Sequence, residues 1–473
     1  MKQTILILGI IFLLVGINLA PITIGFNISQ SYNKIIIKEE VKQSLNTPLD
    51  YSWPMYQHDA GNTGLSQATF PNSFNQTWYK SYEEDFNISM ATAFSSPVTS
   101  NDKLYITGDF VDSEQEEKWG GIILALNQSN GSLIWKKIIP INANAIHGFQ
   151  CFHSPAVYEG KIFTVLGCFF TFMSRSKIVV LDENTGDILW GKKFFGVSWY
   201  SSVTVADDKV FVCGHMSLCP ISWLYVFDAD NGDLLWRKTL RGYIESTPVV
   251  YDNKVFVASG RISGLVIYNN AWPLFSGKSR VYAFDVDDGQ EIWMKKVKGH
   301  LIISSTAVAN GKLFVPSNML ILRRWWICRI SALDVDTGEV IWYHDMNQEK
   351  GAAWPTSIST PSVAYNKVYI IDSDGILCAW DQNSGDLIFV KEITPDEPYS
   401  GFDNFAPPVI IDGKIMVGAN ADGAPFNEIF ILDAGSGELF FNFKFNGESY
   451  APFIVTNEML FVNDGWNGIY AFG

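Results

Sequence analysis

A segment of strand, tight turn and strand that recurs seven times constrains the fold of this chain more than any other feature. Each copy has an Asp or Asn before the turn, a glycine in it, and a large aromatic residue four positions after the glycine. The Asp or Asn can accept a backbone hydrogen bond two residues on, and glycine can take the positive φ at which the chain reverses. The copies read LALNQSNGSLIW, VVLDENTGDILW, YVFDADNGDLLW, YAFDVDDGQEIW, SALDVDTGEVIW, CAWDQNSGDLIF and FILDAGSGELFF.

The spacing of these copies predicts one four-stranded sheet for each. Neighbouring glycines lie between 46 residues apart (Gly186 and Gly232) and 57 residues apart (Gly232 and Gly289), which suits one blade of a β-propeller. A second hairpin, such as STPVVYDNKVFVASG, alternates with the turn units and occurs eight times. With 47% hydrophobic and 18% charged residues, the chain has enough apolar surface for a large core.

Eight hairpins and seven turn units leave one blade incomplete. The last unit stops after its third strand, at GIYAFG. The segment FNQTWYKSYE, residues 74–83, has a strand-like pattern and puts Trp78 at the aromatic position. An N-terminal strand that completes the last blade would close the ring. We therefore predict an all-β, eight-bladed propeller of four-stranded antiparallel blades over residues 51–473.

The repeat resembles that of a known family. The pattern A-x-D-x-x-T-G-x-x-x-W, nearly intact in residues 332–342, resembles the tryptophan-docking repeat of the pyrroloquinoline-quinone-like (PQQ-like) propellers. These include quinoprotein dehydrogenases and non-enzymatic, BamB-like scaffolds, and the second type is the nearer one. The segment WPMYQHDAGNTGLS, residues 53–66, resembles the opening motif of many secreted members. Phe389 and Phe441 replace the tryptophan of the pattern, and we expect them to loosen blade packing only slightly.

The first 26 residues form an apolar run in which Lys2 is the last charge before Lys34. The run is long enough to cross a bilayer as a helix, so residues 1–26 are predicted to be a transmembrane anchor or a cleaved signal peptide. Residues 27–50 are polar, lack a hydrophobic period, and are predicted to form a stalk. Both alternatives place the propeller outside the cytoplasm, membrane-anchored or secreted.

Uneven loop lengths predict a binding face. The turns inside the repeats are short and share one face of a propeller, whereas residues 109–120 and 316–326 are predicted to be long loops on the opposite face. Aromatic side chains there can stack on sugars or contact apolar side chains, and arginines can bind anions. Alternatively, these rings form small cores within the loops. The predicted ligand-binding residues are Trp119, Phe170, Trp199, Trp223, Trp272, Arg323, Arg324, Trp325, Trp326 and Trp354.

The net charge of -15 argues against a nucleic-acid partner, because phosphate binding requires a clustered basic surface. The resemblance implies a protein partner, and carbohydrate is the runner-up among ligands. We expect a monomer that contacts the membrane only through its N-terminal segment.

A quinoprotein dehydrogenase that uses PQQ with Ca²⁺ to oxidise alcohols or aldoses is the enzymatic alternative. Enzymes of this family carry adjacent cysteines, a set of calcium ligands, a catalytic aspartate and often a C-x-x-C-H haem site. This sequence has no adjacent cysteines and no C-x-x-C-H, and its acidic residues match no calcium-and-base set. We therefore predict a binding protein with no catalytic residue, no metal and no cofactor.

The cysteines permit two disulfides in an oxidising compartment. If residues 159–160 form a two-residue hairpin loop, the register places Cys151 opposite Cys168. Cys213 and Cys219 could close a short loop. Buried free thiols are the alternative for both pairs.

Overall fold

The computed structural model of the protein is all-β in the residues that it describes. The chain divides into two compact units, residues 1–49 and 50–473. The segments predicted for residues 1–26 and 27–50 lie outside the described residues, and no helix in the described part could span a membrane. The described ranges are 52–71, 73–88, 91–112, 118–140, 153–166, 175–197, 201–216, 220–260, 279–299, 304–321, 325–346, 359–372, 375–393, 404–420, 426–446, 453–456, 458–464 and 467–473.

Eight antiparallel sheets follow one another along the chain, and each corresponds to one predicted blade. Two strands precede the first full blade: β1 (Leu65–Ser66) and β2 (Gln76–Ser81). Blades 1 to 4 then comprise β3 (Ala91–Phe94), β4 (Val98–Ser100), β5 (Lys103–Asp112), β6 (Lys118–Asn127) and β7 (Leu133–Pro140); β8 (Ala156–Tyr158), β9 (Lys161–Leu166), β10 (Arg175–Asp182) and β11 (Ile188–Phe195); β12 (Thr204–Ala206), β13 (Lys209–His215), β14 (Ile221–Asp228) and β15 (Leu234–Arg241); and β16 (Val249–Tyr251), β17 (Lys254–Ser259), β18 (Ser279–Asp285) and β19 (Glu291–Val297).

The second half of the ring repeats this order, with a short inner strand and a longer outer strand in each blade. Blades 5 to 8 comprise β20 (Ala307–Ala309), β21 (Lys312–Ile321), β22 (Trp325–Asp334) and β23 (Val340–Met346); β24 (Ser362–Ala364), β25 (Lys367–Ile371), β26 (Ile376–Asp381) and β27 (Leu387–Glu392); β28 (Asn404–Phe405), β29 (Val409–Ile411), β30 (Lys414–Asn420), β31 (Phe426–Asp433) and β32 (Leu439–Asn446); and β33 (Ile454–Thr456), β34 (Met459–Asn463) and β35 (Gly468–Phe472), completed by β2.

The predicted turns have the expected geometry. In blade 2, one carboxylate oxygen of Asp182 accepts hydrogen bonds from the backbone N–H groups of Asn184 and Thr185, both at 2.9 Å. Gly186 has a φ of 70° and donates its N–H to the Asp182 carbonyl at 3.0 Å. The bonds from Thr185 and Asn184 lower the pKa of Asp182, because they stabilise its ionised form. The turn residue types thus set the reversal between the third and outer strands.

In every blade except blade 7, the aromatic residue of the outer strand packs on the turn glycine of the next blade. In blade 2, a Cβ added to Gly232 would lie 2.5 Å from the Trp190 ring, so only glycine fits there. The Trp190 indole also donates a hydrogen bond to the Ala229 carbonyl of blade 3, at 3.1 Å. Five other indoles bond the same turn position at 2.9 to 3.2 Å: Trp78 to Gln128, Trp135 to Glu183, Trp236 to Val286, Trp293 to Val335 and Trp342 to Gln382.

One of the two departures from tryptophan is compensated by a neighbouring residue. Phe389 packs on Gly437 but has no N–H to donate. The equivalent carbonyl, that of Ala434, instead accepts a hydrogen bond from the Tyr369 hydroxyl at 2.8 Å. Tyr369 lies in the same row of the blade as Phe389, since both pair with Ala379. The junction between blades 6 and 7 therefore keeps an equivalent hydrogen bond.

The predicted closure of the ring is confirmed. β2 pairs antiparallel with β35, so that Trp78 lies opposite Ala471 and Tyr79 opposite Tyr470. The Gly473 N–H donates to the Asn75 carbonyl at 3.1 Å. Blade 8 is thus built from both ends of the propeller sequence.

Candidate functional site

The face that carries the short turns pairs its own charges. The lysine that begins the second strand of a blade reaches the turn of the next blade, as in Lys161 to Asp230 at 2.8 Å and Lys209 to Asp287 at 2.9 Å. The hydrogen bond from Lys209 lowers the pKa of Asp287. These charges already have partners within the protein, so this face is poorly suited to recognise a charged ligand.

Residues 53–66, which we name the plug segment, bind the inner strands of most blades. Its backbone carbonyls accept hydrogen bonds of 2.7 to 2.9 Å from the middle residue of the inner strand in six blades. Inner strands end their sheets, so the plug provides partners for their N–H groups. The pairs, donor first, are Thr99 with Trp53, Val157 with Pro54, Val250 with Ala60, Val308 with Gly61, Val363 with Thr63 and Ile410 with Gly64.

The side chains of the opening motif fold the plug segment itself. One carboxylate oxygen of Asp59 accepts the N–H groups of Gly61 and Thr63, both at 3.0 Å, and the other accepts the Thr63 hydroxyl. Gly64 has a φ of 65° and lies against Ser362, where a Cβ would meet the hydroxyl at 2.5 Å. The sequence showed the opening motif at residues 53–66, but not that this motif binds six blades. The available signal for a folded segment was Asp59, which is followed by small residues.

Hydroxyl groups next to the plug join neighbouring blades in series. The Ser202 hydroxyl accepts the Ser154 N–H at 3.0 Å, and the Thr247 hydroxyl accepts the Ser202 N–H at 3.0 Å. Thr360 continues the series and also shares a hydrogen bond of 2.9 Å with the Tyr56 hydroxyl of the plug. Burial raises the pKa of Tyr56. These hydroxyls serve the contact between blades and plug.

Two predicted loops on the opposite face are largely β-hairpins, which corrects that part of the prediction. Residues 109–112 and 118–120 continue β5 and β6, and residues 316–321 and 325–326 continue β21 and β22. These four strands have ten residues each, against five to eight in the second and third strands of the other blades. Two to five extra residues extend a strand by about 7–17 Å. We name the two extensions the arms; blades 1 and 5, which carry them, are opposite in a ring of eight.

Four of the ten predicted ligand-binding residues lie in the described ranges. Trp119 lies on the first arm opposite Val111, and Trp325 and Trp326 lie on the second arm opposite Ile321 and Leu320. Trp223 lies on β14, is half-buried, and packs against the core cluster shared by blades 2 and 3. The other predicted residues lie outside the described ranges: Phe170, Trp199, Trp272, Arg323, Arg324 and Trp354.

The cysteine predictions are tested only in part. The register on which the Cys151–Cys168 pair depends is observed, because Tyr158 pairs with Lys161 across a two-residue turn. Both cysteines lie outside the described residues. Cys213 is a buried free thiol whose pKa is raised by burial, and Cys219 is outside the described ranges. Both bridges stay predictions. Cys328 and Cys378 are also buried.

The sequence interpretation missed a cleft between the outer strands of blades 7 and 8. Its volume is about 560 Å³. The available signal was Phe443, at a position where six other blades have lysine and blade 5 has histidine. The lining residues are Phe74, Asn75, Gln76, Tyr79, Phe443, Lys444, Phe445, Tyr470 and Phe472.

Within the described ranges, no group of three or more His, Cys, Asp or Glu side chains lies close enough to share a metal ion. Two features instead define this molecule: the closed eight-bladed ring with indole rings on turn glycines, and the plug that binds six inner strands. The class is that of the PQQ-like repeat β-propellers.

The chain belongs to the family described as outer membrane protein assembly factor BamB, which matches residues 174–271 and 261–473. The BamB protein of Moranella endobia is 25% identical over 289 residues, covering 56% of this chain and 64% of that protein. The chain thus spans less than two thirds of the length of this relative.

Two solved structures show the same fold. The BamB structure from Moraxella catarrhalis has a TM-score of 0.54 and 16% identity, and the match covers 84% of this chain and 97% of that one. The quinohemoprotein alcohol dehydrogenase of Comamonas testosteroni has a TM-score of 0.59 and 13% identity, covering 89% of this chain and 80% of that one. At these identities the likeness concerns fold alone, and it includes both BamB and an alcohol dehydrogenase.

Proposed function

We propose that this protein is an extracytoplasmic scaffold that binds a protein partner through the face opposite the turns. The observation that carries the proposal is the pair of arms on blades 1 and 5. Extended hairpins on a rigid ring give two separated contact points for one partner. The turn face, whose charges are paired internally, offers no comparable feature.

The two arms differ in the chemistry of their sequences. Residues 109–118 of the first arm contain five carboxylates and one lysine. Residues 319–327, which span the second arm, contain two arginines, two tryptophans, four aliphatic residues and one methionine. A protein surface with a basic region and a separate apolar, acidic region would complement both arms. A small ligand would not reach two arms on opposite blades.

The names of the relatives support a protein partner. Proteins of the matched family are described as outer membrane protein assembly factors, and assembly is a protein-binding activity. The outer membrane named in this description is consistent with the apolar segment predicted at residues 1–26. That segment would place this propeller outside the cytoplasm.

Site-specific photocrosslinking tests the proposal. A photoreactive phenylalanine analogue replaces Trp119 or Trp326 in the arms, and Asp230 on the turn face is the matched control. Irradiation of intact cells should link both arm positions to the same protein and leave the Asp230 position unlinked. Equal crosslinking from the turn face, or none from either arm, would contradict the proposal.

The quinoprotein dehydrogenase is the alternative function, favoured by the likeness of fold to an alcohol dehydrogenase. Addition of PQQ and Ca²⁺ to the purified protein distinguishes the two. The scaffold proposal expects no rise in melting temperature and no reduction of dye with alcohols or aldoses. Carbohydrate binding, the other candidate, would appear as saturable binding on a glycan array.

A further inference from the structure

The outer strand of blade 7 has fewer charges than those of blades 1 to 4. The outer strands of blades 1 to 4 read LIWKKIIP, ILWGKKFF, LLWRKTLR and EIWMKKV, whereas β32 reads LFFNFKFN and has one charge. β2 (QTWYKS) also has one charge, and β23 (VIWYHDM) has no lysine. β32 ends its sheet, so its outer backbone groups face away from the blade. Charged residues, lysine above all, protect such edges against pairing with other strands, so β32 has less of this protection than the outer strands of blades 1 to 4.

The side chains of β32 form an aromatic surface that the other outer strands lack. Leu439, Phe440 and Phe441 are exposed, Phe440 to 57%. An exposed apolar pair also begins most other outer strands, but there a lysine or histidine follows two positions after the docked ring. In blade 7 that position is Phe443, which stacks on Phe74 with 4.9 Å between ring centres.

The cleft lies at the place where the ring closes. It exists because blade 8 lacks the turn that fills this space at the other junctions. At the other junctions, the turn of the next blade covers the aromatic residue and its lysine, as Gly289 covers Trp236 and Lys238. Blade 8 has chain ends instead of this turn, and Phe74 takes the place against Phe441, at 5.2 Å. Beside Phe74 the cleft has an aromatic floor and a polar rim, the usual build of an anchoring pocket.

The charges beside this surface favour an acidic occupant. Lys444 is the only charged residue among those that line the cleft. Lys414 lies 4.4 Å from the Phe70 ring centre and 6.0 Å from that of Phe440, and its ammonium group is 3.7 Å from the Asp412 carboxylate. Each copy of the chain carries a net charge of -15, so two copies repel one another over longer distances. This disfavours a second copy as the occupant.

We propose that β32 is a docking edge for an extended segment of a protein partner, in which aromatic or aliphatic residues alternate with acidic ones. Backbone hydrogen bonds would add the segment to the sheet of blade 7, its apolar side chains would enter the cleft, and its carboxylates would meet Lys444 and Lys414. This surface is on the circumference, away from the arms, and the inference does not depend on the loop-face function.

A designed peptide serves as the probe: fluorescein-labelled Thr-Phe-Glu-Phe-Thr-Phe-Glu-Thr, with a version carrying proline at its third and fifth positions as the control. Fluorescence anisotropy measures binding to the full chain. We expect saturable binding of the first peptide and at least about a tenfold weaker affinity for the proline version, because proline cannot join a ladder. Amide hydrogen exchange in β32 should slow when the peptide is bound.

Protein variants locate the site. Phe443→Lys restores the residue of the other blades, and Phe440→Lys changes an exposed side chain; each should weaken peptide binding about tenfold or more. Leu235→Lys, at the equivalent exposed position of blade 3, should leave binding unchanged. Binding that is equal for both peptides, or unchanged in both Phe variants, would overturn the inference. A dimer that Phe440→Lys converts to monomer would also overturn it, since the occupant would then be a second copy.

Discussion

Neighbouring blades are held together by two kinds of chemistry. One is found at the junctions of successive blades from blade 1 to blade 6, and the other at the junction of blade 7 with blade 8. At the regular junctions an indole packs on a glycine and donates a directed hydrogen bond to the same turn, as Trp293 does to Val335 at 2.9 Å. At the closing junction, phenyl rings contact one another without such a bond, as Phe74 does with Phe441 and Phe443.

This difference shows which part of the repeat is required for the fold and which part is replaceable. A directed hydrogen bond fixes the position of each blade, along the axis of the ring, relative to the next blade. The closing blade instead gets its register from the pairing of β2 with β35 and from the plug, whose Ser66 hydroxyl donates to the Val455 carbonyl at 3.3 Å. The closing blade can therefore depart from the repeat pattern and keep its place.

Removal of residues 51–83 should have the largest effect, because it deletes both the plug and the closing strand. We expect loss of the cooperative thermal transition and an expanded chain by size-exclusion chromatography. A synthetic peptide of residues 51–83 added in trans should restore part of the transition. An unchanged melting temperature after the truncation would show that the closing junction does not hold the ring.

Gly232→Ala tests the regular junctions against a matched control, Gly413→Ala. The two glycines have nearly equal φ values of 72° and 71°, so both substitutions strain the backbone alike, by about 1–2 kcal/mol. A Cβ at Gly413 meets nothing within 4 Å, whereas one at Gly232 would lie 2.5 Å from Trp190. Overpacking should add about 1–3 kcal/mol to the destabilisation of Gly232→Ala alone, measured by urea unfolding.

A buried histidine of blade 3, His215, whose ring bonds the Ile244 carbonyl at 3.1 Å, makes the fold sensitive to acid. Burial lowers the pKa of His215 to about 4. Below the usual histidine pKa the unfolded chain takes up a proton that the folded chain excludes, so stability should fall as pH falls from about 6.5 to 4, by on the order of 3 kcal/mol. In His215→Gln this dependence should be largely lost, as followed by urea unfolding at each pH. An equal slope in both proteins would exclude His215 as its source.

The substitute hydrogen bond of blade 6 should have the smallest effect. Tyr369→Phe removes the donor to the Ala434 carbonyl, leaving that buried oxygen without this bond, at a cost of about 1–2 kcal/mol. Tyr79→Phe is the control, because the Tyr79 hydroxyl is exposed where it bonds the Asn467 carbonyl, at 3.4 Å. Equal losses of stability in the two variants would show that the Tyr369 bond is no replacement for an indole.

Local features of the fold were predictable from the sequence, because they depend on nearby residues. The turn at Asp182 to Gly186 and the pairing of Tyr158 with Lys161 follow from turn chemistry, which acts within a few residues. The role of Trp78 followed from counting repeats, since a ring with seven complete units needs one more strand.

The missed features depend on contacts between distant residues or on strands whose composition is typical of loops. The carbonyl of Trp53 binds Thr99 and that of Gly64 binds Ile410, and no local pattern encodes such pairs. The arm at residues 109–112 and 118–120 contains one glycine and two carboxylates, residue types common in loops, yet its two strands pair with each other. The identity of the binding residues stays a prediction, because most of them lie outside the described ranges.

The closing hydrogen bonds also determine when this protein can finish folding. The Ser73 hydroxyl bonds the Gly473 carbonyl, 400 residues away, and Ser66 bonds a residue 389 positions along the chain. Contacts of such separation form slowly, because closing a long loop costs conformational entropy before the new contact can stabilise the chain. The first strands of the propeller therefore stay without their partners until the last ones have been synthesised, and a ribosome-bound chain that lacks its final blade cannot become stable.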